Sequence, residues 1–199
     1  LKLPSVLLLM VIILCAYVGY KITDVFSLYA QDVMKYNQVE AAKVGTFLLF
    51  VRPIVGVAIG FLADRSQTTY WLIIGFIVAI AGSLCFALGI ISDSTTLLFF
   101  IPTFIVAIGV YAARSLYFAV MQKGQIPLVL TGTAVGLISI IGYTPDIFAS
   151  PMMGYLLENS PGEQGHQHVF WMLFGFFTIG LITALYYHKL YGKSKVDDK

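Results

Sequence analysis

The stretch PSVLLLMVIILCAYVGYKITDVFSL, residues 4–28, decides the fold class. Seventeen residues without a charge precede Lys21, and a helix of about 20 apolar residues is what crosses the hydrocarbon of a bilayer. Outward from it, five more runs of the same kind follow at 41–63, 70–91, 97–121, 128–157 and 170–191, with short polar breaks between them. The chain is 59% hydrophobic and 11% charged, with a mean hydropathy of +0.88, whereas a soluble domain carries about 25% charged residues. The sequence therefore predicts an all-α integral membrane protein with six transmembrane helices and excludes an ordinary soluble fold. Pro4 and Pro127 suit a first helical turn, and Asn37 with Glu40 has the spacing of a capping pair.

Six spans put both termini on one side of the membrane. Lys2, Arg65, Lys123, Lys189, Lys193, Lys195 and Lys199 fall on the terminal side, against Lys35 and Lys43 opposite. By the positive-inside rule both ends are cytoplasmic, with 31–40, 92–96 and 158–168 as outer loops. Residues 193–199 read as a polar cytoplasmic tail. The start at Leu1 rather than Met, with a span following directly, reads as a fragment of a longer polypeptide. The net charge of +2 is spread over span ends, which gives nucleic acid no surface. Cys15 and Cys85 lie in apolar runs, read as small buried side chains rather than a disulfide framework.

Five charged residues, Lys21, Asp24, Arg52, Arg114 and Asp146, lie inside these spans. Such groups usually face a protein-lined cavity and mark a solute or ion path. Four of them, Lys21, Asp24, Arg52 and Asp146, fall at depths that allow one shared cavity, and Arg114 is expected nearer the cytoplasm. Lys21 and Asp24, three apart, either neutralise each other on one helix face or serve as an anion contact and a proton carrier. Tyr17 and Tyr20 stand one turn earlier. Arg52 precedes Pro53 at a mid-helix bend, suited to bidentate binding of a carboxylate or phosphate or to an ion pair with Asp146 or Asp24. Asp146 follows Pro145 and, with Tyr143 three residues before it, is the foremost candidate for proton coupling. The sum of these five charges is one net positive, which points to a small organic anion.

The second and fifth spans share a layout: Gly45-Thr46 near the start of one, an interior proline in both, then Gly60-Phe61-Leu62 in one and Gly154-Tyr155-Leu156 in the other. A duplication of three-span units would place its copies in opposite orientations, the inverted repeat common in secondary transporters. Between the second and third spans, Gly60-Phe61-Leu62-Ala63-Asp64-Arg65 resembles the Gly-x-Leu-Ala-Asp-Arg loop motif of the major facilitator superfamily, at the position where that family's second half carries it. The fifth span, with Gly142-Tyr143-Thr144-Pro145-Asp146 and Pro151-x-x-Gly154-Tyr155-Leu156, also looks like the eleventh helix of bacterial members. One departure is that Ser66-Gln67-Thr68-Thr69 lacks the further basic residues of the motif's first copy.

The resemblance implies that the chain is the C-terminal six-helix half of such a transporter, a half-bundle of two inverted three-helix repeats. It further implies alternating access in the plasma (inner) membrane, with the missing N-terminal half or a second copy of the chain as partner. It also implies a cytoplasmic gate of Gly60, Asp64, Arg65 and Arg114, in which Asp64 meets Arg114 in the outward-facing state; for Arg114 the competing reading is snorkelling to the interface.

The expected partners are a small solute, protons and the lipid bilayer, with no cofactor and no metal. The rival readings are a polytopic membrane enzyme and a passive channel subunit. The enzyme lacks His-Glu-x-x-His and Gly-x-Ser-x-Gly, and the channel lacks a continuous polar lining. His166 and His168 read as part of a solvated outer loop, and His188 as an interfacial side chain.

Overall fold

The computed structural model describes residues 4–91, 96–121 and 128–192. Six segments in it are long and apolar enough to cross a membrane: Pro4–Asp32, Gln38–Asp64, Thr68–Ala87, Thr96–Met121, Thr131–Asn159 and Glu163–Tyr191. The tail 193–199, Lys2 and the loop lysine Lys123 lie outside the described residues, as do residues 92–95.

The helix ends follow local chemistry. The second span, α3 (Gln38–Asp64), begins where Glu40 N–H donates to Asn37 Oδ1 at 2.9 Å and Asn37 N–H donates back to Glu40 Oε2 at 3.3 Å, the predicted capping box. The third, α4 (Thr68–Ala87), stops four residues short of the predicted end. Gly89 takes φ +66°, its N–H donates to Phe86 O, and Ile90 N–H reaches Cys85 O, which together close a Schellman cap that only glycine enters without strain. The fourth, α5 (Thr96–Met121), runs through Pro102 without ending.

Two spans are broken, the first in its later part and the fifth at its middle. The first consists of α1 (Pro4–Ile22) and α2 (Val25–Asp32), and the fifth of α6 (Leu128–Gly142) and α7 (Pro145–Asn159). At both breaks a threonine folds back on the preceding turn: Thr23 Oγ1 donates to Tyr20 O and Thr144 Oγ1 donates to Ile141 O, each at 2.7 Å. The backbone tightens to three-residue steps there, Thr23 N–H to Tyr20 O and Asp146 N–H to Tyr143 O, and Pro145 has no N–H to offer. Each break is followed by an aspartate, Asp24 in one span and Asp146 in the other.

The sixth span, α8 (Glu163–Tyr191), starts seven residues earlier than predicted and absorbs part of the expected loop. The cause is Gly165, where a Cβ would stand 3.0 Å from Leu157 Cα, so that the chain turns tightly from α7 into α8.

The packing has a twofold logic. The first span packs on the fifth and sixth, the fourth on the second and third, the third and sixth on each other, and the first on the fourth. Exchanging the first three spans with the last three maps these pairs onto each other, as the inverted repeat predicts, whereas the packing of α2 on the second span has no comparable fourth–fifth counterpart among the described residues. The closest approach is between α4 and α5, where a Cβ on Gly109 would lie 2.6 Å from Gly75 O, the small-residue packing typical of membrane helices. An aromatic core of Phe26, Tyr29, Phe86, Phe99 and Phe170 fills the end of the bundle remote from Pro4. In the second and fifth spans 28% of the most apolar stretch is buried, and in the sixth 33%, against 67% in the first, so the second and fifth are the most outward-facing, with the sixth close behind. The open faces of the second and fifth carry Phe50, Ile54, Val57, Ile140 and Ile147, as a lipid or helix contact requires.

Candidate functional site

The breaks in the first and fifth spans bring their polar residues together. Asp146 at the start of α7 accepts a hydrogen bond from the Tyr17 hydroxyl at 2.9 Å and forms an ion pair with Lys21 at 3.3 Å. The Lys21 ion pair is therefore with Asp146 on another span; among the described residues none joins it to Asp24, which still feels the lysine's charge. Asp24 sits past the break, on the wall of a cavity of about 190 Å³ shared with Tyr20, Thr23, Ser27 and Arg52.

Arg52 donates from Nη1 to the Tyr20 hydroxyl at 2.6 Å, with its guanidinium carbon 4.7 Å from that ring's centroid. No ion pair to Asp146 or Asp24 is formed among the described residues, so the structural-pair alternative for Arg52 does not hold in this conformation. Arg114 lies with the tyrosines rather than towards the loop. Its guanidinium carbon stands 4.8 Å from the Tyr17 ring, 5.0 Å from Tyr20, 5.1 Å from Tyr117 and 5.9 Å from Tyr143, a cation held among π-faces. Its Nε is buried without a hydrogen-bond partner among the described residues.

Arg52 and Arg114 together line a larger cavity, about 520 Å³, with Leu49, Pro53, Gly56, Tyr111 and Ser115. Two guanidinium groups thus face one hollow, and among the described residues no carboxylate lies within ion-pair distance of either, although Asp24 on the adjoining wall is near enough to feel the Arg52 charge. Tyr111 lines both cavities and was not foreseen, nor was Ser115. Their signal was present, since Tyr111, Arg114 and Ser115 at i, i+3 and i+4 share one helix face.

Of the predicted gate residues, Arg114 belongs to this cluster, whereas Gly60, Asp64 and Arg65 line neither cavity. Asp64 ends α3, Arg65 stacks over the Phe61 ring at 4.0 Å, and Gly60 has open space around its Cα. Among the described residues no ion pair links Asp64 to Arg114.

His166 corrects a second expectation. It is 0% exposed, in the first turn of α8, with Nε2 3.1 Å from Asp32 Oδ2 and its ring edge-on to Tyr29 at 5.1 Å. His168, by contrast, is exposed. Among the described residues no three His, Cys, Asp or Glu side chains gather closely enough to hold a metal ion.

No protein-family model matches the chain, and neither does any solved structure. Part of it is 31% identical over 83 residues to Inner membrane protein YqcE of Escherichia coli (strain K12), covering 40% of this chain and 19% of that protein. Over 76 residues it is 33% identical to Inner membrane protein YihN of the same organism, covering 38% of this chain and 18% of the relative. The chain thus aligns with less than a fifth of the length of these curated relatives. With six apolar helices, this chain is a multi-pass membrane protein.

Proposed function

We propose that this chain is half of a secondary transporter of the major facilitator type, which moves a small organic anion across a plasma (inner) membrane by alternating access. The observation that carries this reading is the pair of guanidinium groups, Arg52 and Arg114, facing one cavity of about 520 Å³ without a carboxylate partner among the described residues. Unpaired cations in a membrane interior are costly unless an anion or water reaches them, and arginine binds carboxylate or phosphate bidentately. The exchange symmetry of the helix packing supports the family, and the relatives' names support the membrane. Both termini are cytoplasmic in this proposal, and the second and fifth spans meet a second six-helix half or a second copy of the chain.

Asp146 is the proton carrier in this scheme. Ionised, it holds Lys21 and accepts from Tyr17; protonated, it loses the Lys21 bond and uncouples the first span from the fifth. Gly60, Asp64 and Arg65 form the cytoplasmic turn that Arg114 reaches in another conformation. The test is uptake of a panel of carboxylates and phosphate esters by the complete protein in proteoliposomes, with and without a proton gradient. Saturable uptake of at least one anion, lost in R52Q and R114Q, is expected. Passive flux would favour a channel, a chemically altered product would favour an enzyme, and uptake untouched by both substitutions would refute the site.

A further inference from the structure

The eight-residue helix α2 is hinged at one end and fastened at the other. Its hinge is the break at Thr23, beside which Asp24 and Ser27 form part of the smaller cavity's wall. Its far end, about 12 Å away by helical rise, is Asp32, bonded to His166 on α8. A carboxylate can only accept, so the imidazole Nε2 carries the shared hydrogen and, in the neutral ring, Nδ1 carries none. Nδ1 is buried with no hydrogen-bond partner among the described residues.

The charged and titratable neighbours are few. On α2 they are Asp32 and Tyr29, whose hydroxyl donates to Ile91 O at 3.3 Å. On α8, Glu163 one turn earlier holds the Gln167 amide at 3.1 Å. In the turn after α2, Lys35 Nζ donates to the Asp32 carbonyl at 2.6 Å. The remaining walls around Tyr29 are Phe86, Phe99 and Phe170.

An added proton separates the fastened state from the released one. On Nδ1 it creates a buried donor with no acceptor, on a ring wholly out of water and at the positive end of the α8 dipole. Charging such a ring is disfavoured, whereas its partner Asp32 is 40% exposed and returns only a screened attraction. Once the clasp opens, the ring reaches water and takes the proton at its ordinary cost, so acid favours the released state.

We infer that His166 and Asp32 form an acid-released clasp that holds α2 against α8 and so fixes the Asp24 wall of the cavity. The consequence for transport rests on the cavity being the solute path proposed above; the clasp itself does not.

The experiment is amide hydrogen exchange of the whole protein in detergent, expressed as protection factors for 25–32 so that the intrinsic pH dependence divides out. Between pH ~7.5 and ~5 protection in the wild type should fall about tenfold, in the range where histidine titrates. D32A should be low at both pH values. H166Q keeps an N–H donor at the ε position without a titratable ring and should stay protected at both. Equal wild-type protection at the two pH values, or an acid response in H166Q equal to that of the wild type, would overturn the clasp. Failure of the transport reading would show separately, as absent anion uptake.

Discussion

Replacing Lys21 by Gln and Asp146 by Asn, singly and together, tests the brace between the two broken spans. At the observed 3.3 Å, two unit charges attract by ~5 kcal/mol at an effective dielectric of ~20 and by ~1.3 kcal/mol at that of water. The side chains are 23% and 48% exposed, so solvent screens them. The Tyr17 hydroxyl, 2.9 Å from Asp146, also stays in place when the lysine is removed. Discounted for that exposure, the coupling energy is ~1–2 kcal/mol. Thermal unfolding of the purified protein reads it, at ~2–4 °C per kcal/mol for a chain of this size. D146N is expected to lower the midpoint more than K21Q, because it removes the charge that Lys21 pairs with and leaves one acceptor oxygen for the two donors Tyr17 and Lys21. The double variant is expected to be no worse than D146N alone. A double variant that loses the sum of the two single shifts would mean zero coupling and would refute the brace.

The cavity arginines give a second expectation: R52Q and R114Q should each weaken binding of a transported anion by tenfold or more, ~1.4 kcal/mol per decade, as measured by titration calorimetry. R52K should recover only part of it, because an ammonium cannot reproduce both the 2.6 Å bond to Tyr20 and the contact with its ring face. Y17F keeps the ring beside Arg114 but removes the hydroxyl on Asp146, a loss of ~1.5–3 kcal/mol for a bond to a charged group before screening. Its proton-driven uptake should shift in pH dependence while binding of the anion is unchanged. G109A should lower the unfolding midpoint, since overpacking costs ~1–3 kcal/mol and its Cβ would meet the Gly75 carbonyl at 2.6 Å. G136A, with nothing within 4 Å, serves as the neutral control.

The six spans were legible because uninterrupted apolar runs of bilayer length seldom occur outside membrane helices, and the Asn37–Glu40 box because a cap is a local device. Counting rise along each run set Lys21, Asp24, Arg52 and Asp146 at depths that allow one cavity; of these, Asp24 and Arg52 share a cavity wall, and Lys21 and Asp146 meet each other. The partner of Lys21 was not legible, since the choice between Asp24 and Asp146 depends on a break that carries Asp24 away. That break has no proline to announce it; Thr23 makes it through a backbone bond that leaves no pattern in sequence, whereas Thr144-Pro145 marks its counterpart openly. The tyrosine faces that receive the Arg114 side chain were not legible either, because rise locates a Cα and not the end of a long guanidinium side chain. His166 looked solvated among Gly162, Glu163, Gln164 and Gln167. Only the tight passage at Gly165 shows that α8 has already begun and that the ring lies beneath Tyr29.

The crossing of α4 and α5 at Gly75 and Gly109 has a consequence for how such a chain diversifies. At that point backbone meets backbone, so even one methyl group is too much, and these two spans form a seam that mutation can hardly enlarge. The second and fifth spans have no comparable restriction over most of their length, and their outward surfaces accept larger or smaller residues at little cost. New specificities would therefore arise by altering side chains on the flanks while the seam stays frozen, a division of labour between an invariant spine and adaptable walls.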